Sequence, residues 1–171
     1  MANPERQGLD VYKGTVVPEW IDINNHMNVA YYVLAFDQGI DSVWQGFGIT
    51  DEYIRKENSS TFAVEAHVTY RRELCLNDPF AVTTQVIAFD AKRVHQFQRM
   101  YHATEGFLAA TAEWMNLHVD TDKRRVSPWP ESVLTGIRAF VAQQGDAATP
   151  TDAGKRMYIR SPEWQSEGYK Q

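Results

Sequence analysis

A chain of 171 residues fits one domain, with or without tails, and is long enough to bury a sizeable core. Its 43% apolar and 12% aromatic content excludes an intrinsically disordered protein, and a net charge of −5 argues against nucleic acid as the main partner. A lone cysteine, Cys75, excludes an intrachain disulfide framework and, with no partner pattern near it, reads as a buried or idle thiol in a reducing compartment.

Residues 1–10 read as a flexible lead without the apolar core of a signal peptide. No run approaches the ~20 apolar residues of a membrane span, so a cytoplasmic protein away from membranes is expected. Val11–Val17 is a short strand that ends at Pro18. The next stretch, Asp22-Ile-Asn-Asn-His-Met-Asn28, packs a carboxylate, three amides and an imidazole into seven residues. It launches a helix over Val29–Gln45, with apolar residues at Val29, Tyr32, Val33, Phe36, Ile40, Val43 and Trp44. Gly46 is the expected stop. Gly39, inside the helix, costs about 1 kcal/mol against alanine and implies a close approach there.

Thr50–Asn58 has an N-cap residue, early acids and late bases, hence a short helix. From Thr61 the period changes to two, with Phe62, Val64, Ala66, Val68 and Tyr70 expected on one face. Strands follow over Phe80–Phe89, Arg93–Ala103 and Phe107–Val119, separated by turns at Asn77-Asp-Pro79 and Thr104-Glu-Gly106. Pro128-Trp-Pro130 ends the sheet and Glu131–Gln144 forms a last helix. Residues 145–171 read as a C-terminal tail whose Tyr158, Trp164 and Tyr169 suit a partner surface.

The domain therefore spans 11–144 and is α+β: a long central helix wrapped by a curved antiparallel sheet of about five strands. One such layer leaves a sheet face and edges uncovered, which implies a homodimer or homotetramer.

The pattern Trp20-x-Asp22-x-x-x-His26-x-Asn28-x-x-x-Tyr32 leading into the central helix resembles the hotdog-fold acyl-CoA thioesterases of the 4-hydroxybenzoyl-CoA thioesterase-like group. The strands over 61–119 and the Arg124-Arg125 to Pro128 ending extend the likeness to residues 10–140. Asn25 stands where many members have Gly, and Trp20 where many have a further Asp. The resemblance implies an acyl-CoA substrate, coenzyme A entering as part of that substrate rather than as a cofactor, a site between two subunits, and a catalytic carboxylate at Asp22. The Glu-Trp-x-Asp-x-Asn-x-His-Met-Asn string is also similar to thioesterases of carnitine breakdown, which act on betainyl-CoA.

Thioester hydrolysis needs an activated water or nucleophile, a donor for the oxygen that gains charge, and a grip on CoA. Asp22 suits the first role as base or nucleophile, being near a helix N-terminus that favours the charged carboxylate. As chemistry alone it equally suits a turn. The N–H of Val29, with Asn28 or Ala30 as alternatives, suits the second role. His26 and Asn28 are placed to orient water or the acyl group, although Asn28 is also a plain N-cap. Tyr32 is core or acyl-pocket wall. Glu65 and His67 share a strand face about 7 Å apart and are either a second acid/base pair reaching a partner's site or solvated residues. Lys92 and Arg93 are candidates for the CoA phosphates, with Lys123-Arg124-Arg125 behind them. His95, His102 and His118 lack metal-ligand spacing, so no metal is expected. Two alternatives remain: a hydratase of the same fold, whose motif would need a Pro absent from Asp22–His26, and a non-catalytic acyl-CoA-binding protein.

Overall fold

The computed structural model describes residues 6–160 and 162–169, so the ends of the lead and tail lie outside the described residues. Five long strands, β1 (Leu9–Thr15), β2 (Ser59–Tyr70), β3 (Pro79–Phe89), β4 (Arg93–His102) and β5 (Leu108–Asp120), form one antiparallel sheet in the order β1-β3-β4-β5-β2. A two-residue β6 (Arg125–Val126) pairs with β5. Three helices complete the fold: α1 (Val29–Gly46), α2 (Asp51–Glu57) and α3 (Glu131–Gln144). The α+β hotdog arrangement expected from the sequence is present, with α1 held in the curl of the sheet.

The helix forms where its apolar stripe dictates. Tyr32, Ala35, Phe36, Gly39, Ile40, Val43 and Trp44 are its buried positions. Each large side chain among them is worth roughly 1.5–3 kcal/mol when removed from water. Gly39 faces β1, β3 and β4: a Cβ there would sit 3.2 Å from Val11, Val82 and Gln98 side chains. Gln98 in turn donates to the Phe36 carbonyl at 3.1 Å and accepts from Trp114 Nε1 at 2.8 Å, so the polar group crossing the core is satisfied.

Gly46 is not the stop. The helix includes it, and Gly48, with φ +86°, takes the left-handed position. The Ile49 N–H donates to the Trp44 carbonyl and the Gly48 N–H to that of Gln45, a Schellman closure with Ile49 and Trp44 both buried. Beyond it α3 lies against the chain so closely that a Cβ on Gly136 would come within 2.6 Å of the Phe47 carbonyl oxygen. Phe47 and Phe140 rings pack edge to face at 5.4 Å.

Two expectations, one for β2 and one for Cys75 in the β2–β3 connection, need correction. The register with β5 shifts between Ala63 and Glu65, a bulge at Val64 that reverses the alternation. Ala66, Val68 and Tyr70 keep the helix-facing side, while Phe62 pairs with Leu117 on the outer face. Cys75 is exposed, not buried; its thiol is pushed up by desolvation and by the acids Asp78 and Glu73, the setting of an unreactive group. The first part of the tail covers this chain's own outer sheet face: Gln85 donates to the Ala147 and Ala148 carbonyls, and the Gly154 N–H to Glu113. Tyr158 and Trp164 are exposed, and the Tyr169 hydroxyl accepts from the Ile159 N–H.

Candidate active site

The seven-residue knot folds on itself before α1 begins. The Asp22 N–H donates to the His26 carbonyl, the Asn25 N–H to the Asp22 carbonyl, and the Asn24 N–H to Asp22 Oδ1 at 2.8 Å. Asn25 supplies the left-handed residue, φ 65°, which Asn tolerates better than most side chains. An isolated bridge between Ile21 and Met27 closes the loop, and the Met27 N–H reaches the Leu74 carbonyl, tying the knot to the end of the β2–β3 connection. Trp20 stacks on Tyr31 at 5.5 Å, fixing the entry to the helix.

At the helix start Asn28 is the N-cap, its Oδ1 accepting the Ala30 N–H and its carbonyl the Tyr31 N–H. The Asn28 N–H itself goes to the Trp20 carbonyl. Of the amides considered as carbonyl donors, those of Asn28 and Ala30 are therefore claimed. That of Val29 has no partner among the described residues.

Val29 opens on a cleft of about 220 Å³ lined also by His26, Met27, Tyr32, Tyr70, Arg71, Arg72 and Glu73. His26 Nδ1 lies 3.6 Å from Asp22 Oδ1 and 3.3 Å from the Met27 carbonyl oxygen. Both neighbours are acceptors, which favours the proton on Nδ1 and leaves Nε2 as the basic atom. Asp22, partly buried, does not itself line the cleft and is linked to it through His26. Tyr32 and Tyr70 meet edge to face at 5.4 Å, with the Tyr32 hydroxyl accepting the Leu74 N–H at 2.9 Å. Burial pushes both phenols above their ordinary value.

Arg71 and Arg72 are cleft residues that the sequence reading missed. A basic doublet at a strand end looks like a solvated edge, and only the docking of Tyr70 on Tyr32 brings that end to the helix. Both cations are already occupied: Arg71 pairs with Asp152 at 2.8 Å, while Arg72 pairs with Glu105 at 3.3 Å and lies over the Phe107 ring at 3.8 Å.

The remaining candidates do not meet this cleft within the chain. Glu65 and His67 project from the outer face of β2, on the side away from α1, where they share a recess with His95, Glu113 and the tail. Lys92 lies in the β3–β4 turn and Arg93 opens β4, and the 11 residues of β3 place that turn roughly 35 Å from the end that meets the knot. Arg93 is paired with Asp90, whose carboxyl is held down to about 2 chiefly by that contact. Among the described residues no cluster of His, Cys, Asp and Glu suits a metal ion, and no helix is long and apolar enough to cross a membrane.

Residues 16–137 match the model of the thioesterase-like superfamily. A betainyl-CoA thioesterase of Pseudomonas aeruginosa is 30% identical over 149 residues, 87% of this chain and 94% of that protein. An L-carnitine dehydrogenase/betainyl-CoA thioesterase of Rhizobium sp is 32% identical over 147 residues, 86% of this chain but 29% of that longer protein. A Staphylococcus aureus protein solved in complex with CoA superimposes with a TM-score of 0.84 at 30% identity, covering 90% of this chain and 98% of that one. With the knot, the cleft and the curled sheet in one arrangement, the chain belongs to the thioesterase-like superfamily and is a thioester hydrolase of the hotdog fold.

Proposed function

We propose that this thioesterase hydrolyses a small acyl-CoA in the cleft at the head of α1. The Val29 N–H polarises the thioester carbonyl, and Asp22 serves as general base or nucleophile. Water adds to the acyl carbon, the C–S bond breaks, and the thiolate leaves with the proton that water gave up. The observation that carries this reading is the unclaimed Val29 amide opening on a cleft beside the Asp22–His26 pair. The proton placement on His26 supports a second assignment, in which Nε2 of His26 takes the proton from water and Asp22 orients the ring and stabilises its charge.

The acyl group is proposed to be betainyl or a comparably small cation. Two relatives bear betainyl-CoA in their names. The Tyr32–Tyr70 wall offers ring faces and an edge to a quaternary ammonium, with Glu73 beside it. Arg71 and Arg72 do not oppose such a group strongly, because each already faces a carboxylate.

The working form is proposed to be a homodimer, alone or within a tetramer, joined along β2. That strand is a 12-residue sheet edge with Phe62, Val64 and Tyr70 exposed. Antiparallel pairing of β2 with its copy brings the partner's β3–β4 turn to the cleft end of this chain. Lys92 and Arg93 from the second copy are then on the side where the CoA phosphates need cations.

Release of free thiol from a panel of acyl-CoAs, compared between the wild type and Asp22→Asn, tests the proposal. Release from small acyl-CoAs that the variant abolishes supports hydrolysis at this cleft. Binding without release selects a binding protein, and water addition to an enoyl-CoA with its thioester intact selects a hydratase. If betainyl-CoA is no better a substrate than acetyl-CoA, the acyl assignment falls and the hydrolytic site stands.

A further inference from the structure

The outer face of the sheet carries a polar row, Thr83–Arg99–Thr111–Thr69, in register across β3, β4, β5 and β2. Arg99, at the middle of that row, is only 5% exposed, and Pro150, Thr151 and Asp152 of the tail and Gln7 of the lead border the space beside it. Its guanidinium lies over the Phe97 ring at 4.9 Å, and Nη1 donates one long hydrogen bond, 3.4 Å, to Gln85 Oε1. No ion pair among the described residues includes it. Asp152 lines the same space but is committed to Arg71 at 2.8 Å and to Lys155.

Beyond that bond Nε and Nη2 of Arg99 have no partner among the described residues and are not sealed from solvent, so they are open to a counter-charge. The donors of Arg99 face a cavity of about 290 Å³, walled by Phe97, Tyr101, Leu108, Thr111 and Asp152. Burial pulls the guanidinium below its ordinary value, against the smaller opposing influence of Tyr101 and Asp152.

We propose that this cavity binds a small organic carboxylate, with both oxygens on the Arg99 guanidinium and the carbon body against Phe97 and Leu108. The single charge decides between oxyanions. One carboxylate neutralises one guanidinium, whereas a phosphate dianion would leave a negative charge beside Asp152 in a protein that is already acidic. The site is distinct from the cleft at α1, being on the opposite face of the sheet, and it stands whatever the acyl group proves to be.

The test is the melting temperature of the full chain in increasing sodium butyrate, sodium phosphate and sodium chloride at matched ionic strength. The expected result is a saturable rise with butyrate, a smaller response to phosphate, none to chloride, and loss of the butyrate response in Arg99→Gln. No saturable rise overturns the proposal. A rise that survives Arg99→Gln does so too, since it places the acid elsewhere, for example in the cleft at α1. A phosphate response as large as that of butyrate overturns the carboxylate assignment. Should Arg99→Gln fail to fold, the ¹⁵Nε–H resonance of Arg99 in the wild type takes its place: it shifts with butyrate, and a resonance that stays put overturns the proposal.

Discussion

The two ends of α1 begin from the same problem, backbone groups that a helix cannot satisfy within itself, and solve it differently. At the C-terminal end the chain closes every nearby carbonyl it can: Phe47, Gly48 and Ile49 donate back to Val43, Gln45 and Trp44, and α3 then presses on Phe47 through Gly136. At the N-terminal end Asn28 claims the amides of Ala30 and Tyr31 and stops there. The Val29 amide is left to solvent on a residue that is 55% exposed, beside a carboxylate–imidazole pair. One end is closed for stability; the other leaves a donor open, which we propose serves an oxygen that gains charge. Changes at the open end should therefore move rate with little change in stability, and changes at the closed end the reverse.

The largest effect expected is from Asp22→Asn. An amide at this position retains the acceptor for the Asn24 N–H, so the knot keeps its turn while the proposed catalytic carboxylate is lost. Thiol release should fall by about 10²–10⁴ at an unchanged melting temperature. A variant that loses rate only in proportion to lost stability would erase the distinction between the two ends. Gly136→Ala is the converse. Its Cβ has backbone atoms of Phe47 within 2.7 Å, so α3 must shift, at a cost of about 1–3 kcal/mol in urea unfolding with kcat retained by the folded fraction.

Lys92→Ala sharpens the comparison across the proposed dimer. The change should raise KM several-fold for an acyl-CoA and leave kcat alone, and a titration with a truncated pantetheine thioester should show no such rise. An equal rise with both substrates would separate Lys92 from the phosphates. The smallest effect concerns pH at the closed end, where His118 bonds Tyr53 at 2.9 Å and Ser127 at 3.0 Å. Burial lowers its affinity for protons below the ordinary value of 6.5. Below that value the unfolded chain binds the proton and the folded one resists it, so stability is lost as pH falls from about 6.5. The urea midpoint should drop between pH 7.5 and 5.5, and less so in His118→Gln; equal drops would contradict the assignment.

Much of this was legible from residue order. The start of α1, the bounds of α3 and the four long strands follow from periodicity, and the knot stood out because so many hydrogen-bonding side chains directly preceded an apolar stripe. What was hidden depends on neighbours far along the chain. The bulge at Val64 exists only relative to Asn116 and Met115 of β5, so strict alternation misassigned Phe62. Gly46 and Gly48 are equivalent as letters, and the choice between them lies in the seating of Ile49 on Trp44. Arg71 and Arg72 gained meaning only when β2 ended at the helix. The tail was the hardest to place, because the polar residues Gln85 and Arg99 that it covers carry no sign of that cover in their own stretch of sequence.

The central claim is that the Val29 amide stabilises the developing oxyanion, and Val29→Pro tests it most directly. Proline is well suited to the first residue of a helix, and Asn28, at φ −64° and ψ 143°, already has the extended conformation that a following proline requires. The substitution therefore deletes one N–H and little else. The account predicts thiol release reduced by about 10²–10³ in kcat, equivalent to about 2.7–4 kcal/mol, with the melting temperature held. A folded Val29→Pro enzyme that turns over at the wild-type rate would contradict it.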